Sequence, residues 1–178
     1  MAWCPWKPDL LATGTTAPEG KIRIWSSTSI SAHSPTPIQT IPLNTSIYSL
    51  QWSPHCKELL STHGLSFLPP AIPRRHSSLT SGDSTRRDRH RHGPNQKLTF
   101  TNTPLTNSII VHEWPSGKRL MTLMNAHSSS VTDSCLGPTG ESIFTVCPQE
   151  EAIKSWKVWN RRPTPTKRES AFDKFTIR

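Results

Sequence analysis

The sequence has little of what most folded chains of its length carry. Of its 178 residues only 33% are apolar and a single one is tyrosine. Adding the eight glycines raises the apolar share to about 38%, against ~45–50% in an ordinary globular chain. Only part of the chain is therefore expected to fund a packed core. No apolar run nears the ~18–20 residues that cross a bilayer, so no membrane partner is expected. Residues 1–10 lack the basic start and apolar stretch of a secretion signal, which points to a soluble intracellular protein. The four cysteines, Cys4, Cys56, Cys135 and Cys147, form no close pair. That spacing matches neither a zinc site nor a secreted disulfide framework, and it predicts reduced cysteines packed as small hydrophobes. Phosphate-cradling glycine loops and paired nucleophile–base motifs are missing too. No catalytic residue, cofactor or metal is expected.

Proline and positive charge are what the chain has in excess. It carries 17 prolines, and 21 basic against 12 acidic residues give a net charge of +9. The charge is concentrated. Residues 67–106 and 157–178 each hold seven basic and two acidic side chains, while the rest sums to −1. Two basic, proline-rich segments are thus attached to a near-neutral body that carries the tryptophans.

The body repeats itself. Ala2-Trp3-Cys4-Pro5, followed by Leu10-Leu11-Ala12-Thr13, recurs as Gln51-Trp52-Ser53-Pro54 followed by Leu59-Leu60-Ser61-Thr62. A weaker third copy is Cys135-Leu136-Gly137-Pro138 followed by Ile143-Phe144-Thr145-Val146. Each copy reads as two short antiparallel strands joined through a proline turn. A third strand follows in each: Lys21-Ile22-Arg23-Ile24-Trp25, Ser108-Ile109-Ile110-Val111-His112 and Ala152-Ile153-Lys154-Ser155-Trp156. The first alternates with period two, isoleucines on one face and Arg23 on the other. The middle copy is lengthened by an insertion of about 39 residues, and removing it leaves a spacing near the ~40–45 residues of a β-propeller blade. Three blades do not close a propeller of four to eight. The chain therefore reads as all-β, a partial WD-repeat propeller of about three C-terminal blades, truncated or needing a partner to complete it.

At this level of detail the residues resemble one family. Ala2-Trp3-Cys4-Pro5-Trp6, Ile22-Arg23-Ile24-Trp25, Trp52-Ser53-Pro54-His55 and Lys57-Glu58-Leu59-Leu60-Ser61-Thr62-His63-Gly64 resemble the Fizzy and Fizzy-related activators of the anaphase-promoting complex. The resemblance continues through residues 107–115 and Ala126-His127, and returns at Ile177-Arg178. It implies the C-terminal portion of a seven-bladed propeller and a non-enzymatic adaptor. Such an adaptor captures degron-bearing substrates and activates the ubiquitin ligase in cell-cycle protein degradation. A divergent, meiosis-type fungal member is the branch suggested.

Residue by residue, the resemblance implies that Ile177 and Arg178 dock into a tetratricopeptide-repeat subunit of the ligase. An apolar side chain, a guanidinium fork and a free carboxylate suit that task. It implies that Glu151 faces the arginine of a destruction-box degron. The positions that would hold a lysine-glutamate-asparagine degron fall on Ala17, Ser46 and Ser130, where the family usually has Thr, Gln and Arg. All three are shortened here, which puts recognition of that degron in doubt. Nucleus and cytoplasm are the expected locations.

The expected organisation is blades over 1–66, a disordered insertion over 67–106, the remaining blades over 107–159, and a flexible tail over 160–178 ending in Ile-Arg. Ser77, after Arg74-Arg75-His76, and Thr164, in Thr164-Pro165-Thr166-Lys167, are candidate phosphorylation sites. The insertion's arginines have no interleaved aromatics for base stacking, so nucleic acid is not an expected partner. The competing readings are a generic WD-repeat scaffold or nucleic-acid-associated protein that uses its basic segments, and a non-functional propeller fragment.

Overall fold

A computed structural model describes residues 1–28, 36–68 and 98–160. Their regular structure is twelve strands and one short 3₁₀ turn, arranged as three antiparallel sheets that follow one another along the chain. The first sheet runs β1 (Ala2–Trp3), β2 (Leu10–Gly14), β3 (Lys21–Ser26) and β4 (Gln39–Pro42) in spatial order. β3 alternates as its sequence requires: Ile22 and Ile24 are buried, while Lys21, Arg23 and Trp25 are half-exposed.

The second sheet is built from β5 (Thr45–Trp52), β6 (Glu58–Leu68), β8 (Ile109–Glu113) and β9 (Arg119–Leu123). A short β7 (Thr99–Thr101) pairs with the far end of β6. The third sheet holds β10 (Asp133–Leu136), β11 (Ser142–Cys147) and β12 (Ala152–Lys157). This is the arrangement of three consecutive propeller blades.

The middle sheet is covered on both faces, and β6 shows it. Leu59 packs into a cluster with Leu10, Ile22, Ile24, Leu50 and Trp52 of the first two sheets. Leu60, the next residue, packs on the opposite side with Ile109, Val111, Ile143 and Trp159. A strand buried on both faces loses the alternation of a half-buried one, and β6 is accordingly buried from Leu59 to Gly64 without a break. The contact with the third sheet also has a polar seam. Ser134 Oγ donates to Ser49 Oγ at 2.9 Å, and Gln51 Nε2 donates to the Ser134 carbonyl at 2.8 Å.

The insertion is shorter than the sequence suggests. Phe67 and Leu68 belong to β6, and Thr99–Thr101 pairs with them through Ser66↔Thr101, Phe67↔Phe100 and Leu68↔Thr99. Residues 67–68 and 99–101 thus extend the middle sheet, and 102–106 form the turn leading to β8, rather than lying in an unstructured loop. The reason is packing. Phe67 is fully buried against Gly20, whose φ of +55° and lack of a side chain admit the ring; a Cβ there would lie 2.6 Å from Phe67 Cζ and 2.7 Å from the Thr45 nitrogen. Residues 69–97 and 161–178, including most of the basic charge, lie outside the described residues.

The third sheet presents one open face. Cys135 pairs with Phe144 and Val146 with Ile153, and Cys135, Phe144 and Ile153 are all exposed, Ile153 at 74%. Among the described residues this sheet has three strands where the other two have four across the same path.

Candidate peptide-binding face

The turns that follow β2, β4, β7, β9 and β11 meet at one end of the sheets, held together by main-chain bonds. The Leu43 and Asn44 amides donate to the Gly20 carbonyl at 2.9 and 3.0 Å. Phe67 N–H donates to Asn44, Asn107 to Gly64, and Ala126 to Asn107. The three positions aligned with the lysine-glutamate-asparagine pocket lie on this end. The Ala17 amide donates to Ser46 Oγ at 3.3 Å, so Ser46 spends its oxygen on the neighbouring loop. Ser130 lies across the backbone of Gly64, where a Cβ would meet Ser130 Oγ at 2.7 Å and the Tyr48 ring. A methyl and two hydroxyls offer neither a cation nor an amide to a charged peptide.

Beside them, between the second and third sheets, opens a cleft of about 680 Å³ whose lining includes Leu65, Phe100, Asn102, Asn125, Glu150 and Lys154. Leu65 and Phe100 are about half exposed. Lys154 Nζ is 3.0 Å from Glu150 Oε2 and donates to the Ala126 carbonyl at 3.1 Å. Glu150 ends the 3₁₀ turn Pro148–Glu150 and accepts from the Ser128 amide and from His127 Nδ1. The Ser128 contacts foremost, then His127, with Lys154 last, hold its carboxyl well below the usual range, so it is an anion at any physiological pH.

Behind Glu150 runs a relay through the third sheet. With Nδ1 of buried His127 donating to the carboxylate, Nε2 is left to accept from Thr145 Oγ1 at 2.9 Å. Thr145 in turn accepts from Trp156 Nε1 at 2.8 Å. The outermost link recurs in the first sheet, where Trp25 Nε1 donates to Thr13 Oγ1 at 2.9 Å. In the second sheet His112 occupies the tryptophan position, facing Leu59 as Trp25 faces Leu11 and Trp156 faces Ile143. There the shared hydroxyl, Ser61 Oγ, sits 2.7 Å from Nε2 of buried His63.

Thr145→Val is expected to strand both His127 Nε2 and Trp156 Nε1 in the interior. A loss of about 2–6 kcal/mol in a urea melt follows, since each buried unpaired group costs about 1–3 kcal/mol. Thr13→Val, which strands one indole N–H, is expected to cost about half as much.

His127, Cys147 and Glu150 bring ligand atoms within 4.8 Å of one another. Both ring nitrogens of His127 are already engaged by Glu150 and Thr145, so the cluster is built as a hydrogen-bond relay. Glu151, the sequence candidate beside it, is a separate case. It is exposed, with a left-handed φ of 51° and its amide bonded to the Pro148 carbonyl at 3.1 Å. The structure thus places Glu150, unmarked by the sequence reading, inside the relay and Glu151 on the surface. Trp156 and Thr145 were the available signal, two strand positions apart on paired strands. Ile177, Arg178, Thr164 and Ser77 lie outside the described residues.

No family model matches the chain. Curated relatives do. The WD repeat-containing protein slp1 of Schizosaccharomyces pombe is 28% identical over 169 residues, covering 93% of this chain and 26% of the relative. Cell division cycle 20.5, a cofactor of APC complex from Arabidopsis thaliana, is 26% identical over 176 residues, covering 99% of this chain and 29% of the relative. A Fizzy-related protein of the same plant is among the further matches. A chain in the crystal structure of the mitotic checkpoint complex superposes with a TM-score of 0.58 at 25% identity, over 89% of this chain and 37% of that one. The resemblance to Cdc20/Fizzy-type WD-repeat proteins and the partial propeller are thereby shown. The chain spans about a quarter of the length of these curated relatives.

Proposed function

We propose that this chain, similar over most of its length to Cdc20/Fizzy-type WD-repeat proteins, serves as part of an activator of the anaphase-promoting complex. The observation that carries the reading is the match to a cofactor of that complex over 99% of the chain. In this reading the protein is an adaptor and not an enzyme. Its propeller presents degron-bearing substrates, and Ile177-Arg178 docks on a tetratricopeptide-repeat subunit. Glu151, exposed and outside the relay, is the carboxylate free to meet a degron arginine. The chemistry at Ala17, Ser46 and Ser130 supports a narrowed substrate range without the lysine-glutamate-asparagine degron. Action in mitotic or meiotic protein turnover, in nucleus and cytoplasm, completes the proposal, as does the division into blades over 1–66 and 107–159 around a basic insertion with a basic tail.

The test is capture of the purified ligase on the immobilised full chain. Deleting Ile177 and Arg178 is expected to lower captured ligase about tenfold or more, the effect of losing a central anchor pair worth some 1.4 kcal/mol or above. Equal capture by both forms would remove the docking assignment.

A further inference from the structure

The opposite end of the sheets carries a second cleft, of about 650 Å³, that the proposed function leaves unused. Its lining includes Trp6, Pro54, Lys57, Glu58, Glu113 and Trp114. Glu58 and Glu113 are direct cross-strand partners on β6 and β8. Like charges directly opposite in a ladder repel, and a cation between them turns that repulsion into attraction. The two carboxylates outnumber Lys57 at the rim. Ser116 Oγ donates to Glu113 Oε2 at 2.6 Å, steadying that side chain.

The walls add a shape requirement. Trp6 and Trp114 each meet the buried ring of Trp52 edge-on, at 5.6 and 6.1 Å, and Trp6 Nε1 donates to the Ser53 carbonyl at 3.1 Å. Both indoles are therefore fixed in place. Paired carboxylates beside indole faces suit a guanidinium, which bonds in a planar fork and stacks on aromatic rings. Proline rings use such aromatic-lined grooves as well.

The chain itself delivers both residue types to this spot. Trp159 is buried, with Nε1 donating to Glu58 Oε2 at 2.8 Å, and the amides of Val158 and Trp159 both donate to the Glu141 carbonyl at 3.0 Å. The backbone is thus tied down at the cleft's own carboxylate two residues before Arg161, a separation of at most about 7 Å along the chain. The next residues are Arg161-Arg162-Pro163-Thr164-Pro165.

We propose that this cleft binds the start of the chain's own tail, with an arginine of Arg161-Arg162 between Glu58 and Glu113 and Pro163 against the indoles. The docked segment sets where the rest of the tail departs from the propeller. A phosphate on Thr164 places negative charge beside two carboxylates and releases it. The inference concerns the tail's origin and holds whatever Ile177 and Arg178 bind.

Limited trypsin digestion of the full chain, read by mass spectrometry, tests it. In Glu58→Gln/Glu113→Gln, cleavage after Arg161 is expected to speed up about tenfold, the loss of a charge-assisted contact. Cleavage after Lys167 serves as the internal reference and stays unchanged. Glu58→Gln keeps an acceptor for the Trp159 indole, and an unchanged near-ultraviolet circular dichroism spectrum confirms the intact tryptophan cluster. Thr164→Glu leaves the propeller untouched and is expected to accelerate the same cut, which covers a double variant that fails to fold. Unchanged cleavage after Arg161 in Thr164→Glu and in any folded carboxamide variant overturns the proposal. A wild-type rate that rises on dilution also overturns it, since the tail of a second copy would then fill the cleft.

Discussion

Taking the pH from 7 to 5 is expected to remove about 3–4 kcal/mol of folding stability, through two histidines the fold keeps neutral. His63 and His112 are both buried, and Nδ1 of each lacks a hydrogen-bond partner among the described residues. Burial, reinforced by the neighbouring His112, pushes His63 down to about 3. Burial, with Arg119 adding repulsion, pushes His112 down to about 4. The unfolded chain takes up protons near pH 6.5 that the folded chain refuses until much lower. Stability is therefore fully present above about pH 6.5 and is lost as the pH falls towards 4 and 3. Each ring contributes about 1.4 kcal/mol per pH unit over that window. Urea midpoints measured between pH 7 and 5 check this. His112→Leu is expected to halve the slope, and an unaltered slope would rule out the His112 assignment.

Trp52→Ala is expected to cost about 3–5 kcal/mol, the range for truncating a large buried aromatic. The ring is 2% exposed, its Nε1 donates to the Ala2 carbonyl at 3.2 Å, and it receives Trp6 and Trp114 on its edges. Those partners come from two different sheets, so the loss reaches the packing between sheets as well as within one. Trp52→Phe keeps part of the volume but loses the indole hydrogen bond to the Ala2 carbonyl, and is expected to cost about 1–2 kcal/mol. Urea denaturation followed by tryptophan fluorescence measures both. A loss below about 1 kcal/mol for Trp52→Ala would mean the sheets do not rely on this contact.

The inner strands are legible in the sequence because their pairing is local. Ala2-Trp3 and Leu10–Gly14 share a short turn, and Leu10 and Ala12 mark the buried side, although Trp3 is exposed. The outer strands carry no such mark. β9, Arg-Leu-Met-Thr-Leu, is exposed or half-exposed throughout, so apolar residues fall on its solvent side and blur its period. β7 is three residues long and finds its partner across residues 69–97, a range over which periodicity says nothing. The sites follow the same rule. Trp156 and Thr145 are neighbours on a hairpin and can be paired by counting. His127 reaches Thr145 from an incoming loop, and Glu58 faces Glu113 across the insertion, so both juxtapositions exist only once the strands are in register.

β6 joins the two ends of the molecule as one continuous strut. Its first residue, Glu58, takes the Trp159 indole in one cleft, and its last turn of pleat carries Phe67 against Gly20 at the other end. A strand of this length spans about 35 Å, and a slip of one residue would turn every side chain to the wrong face. Phe67 would swing out of the core as Glu58 left the indole. The tail's origin and the loops at the opposite end are therefore indexed to each other like two marks on one ruler, and neither can shift its register alone.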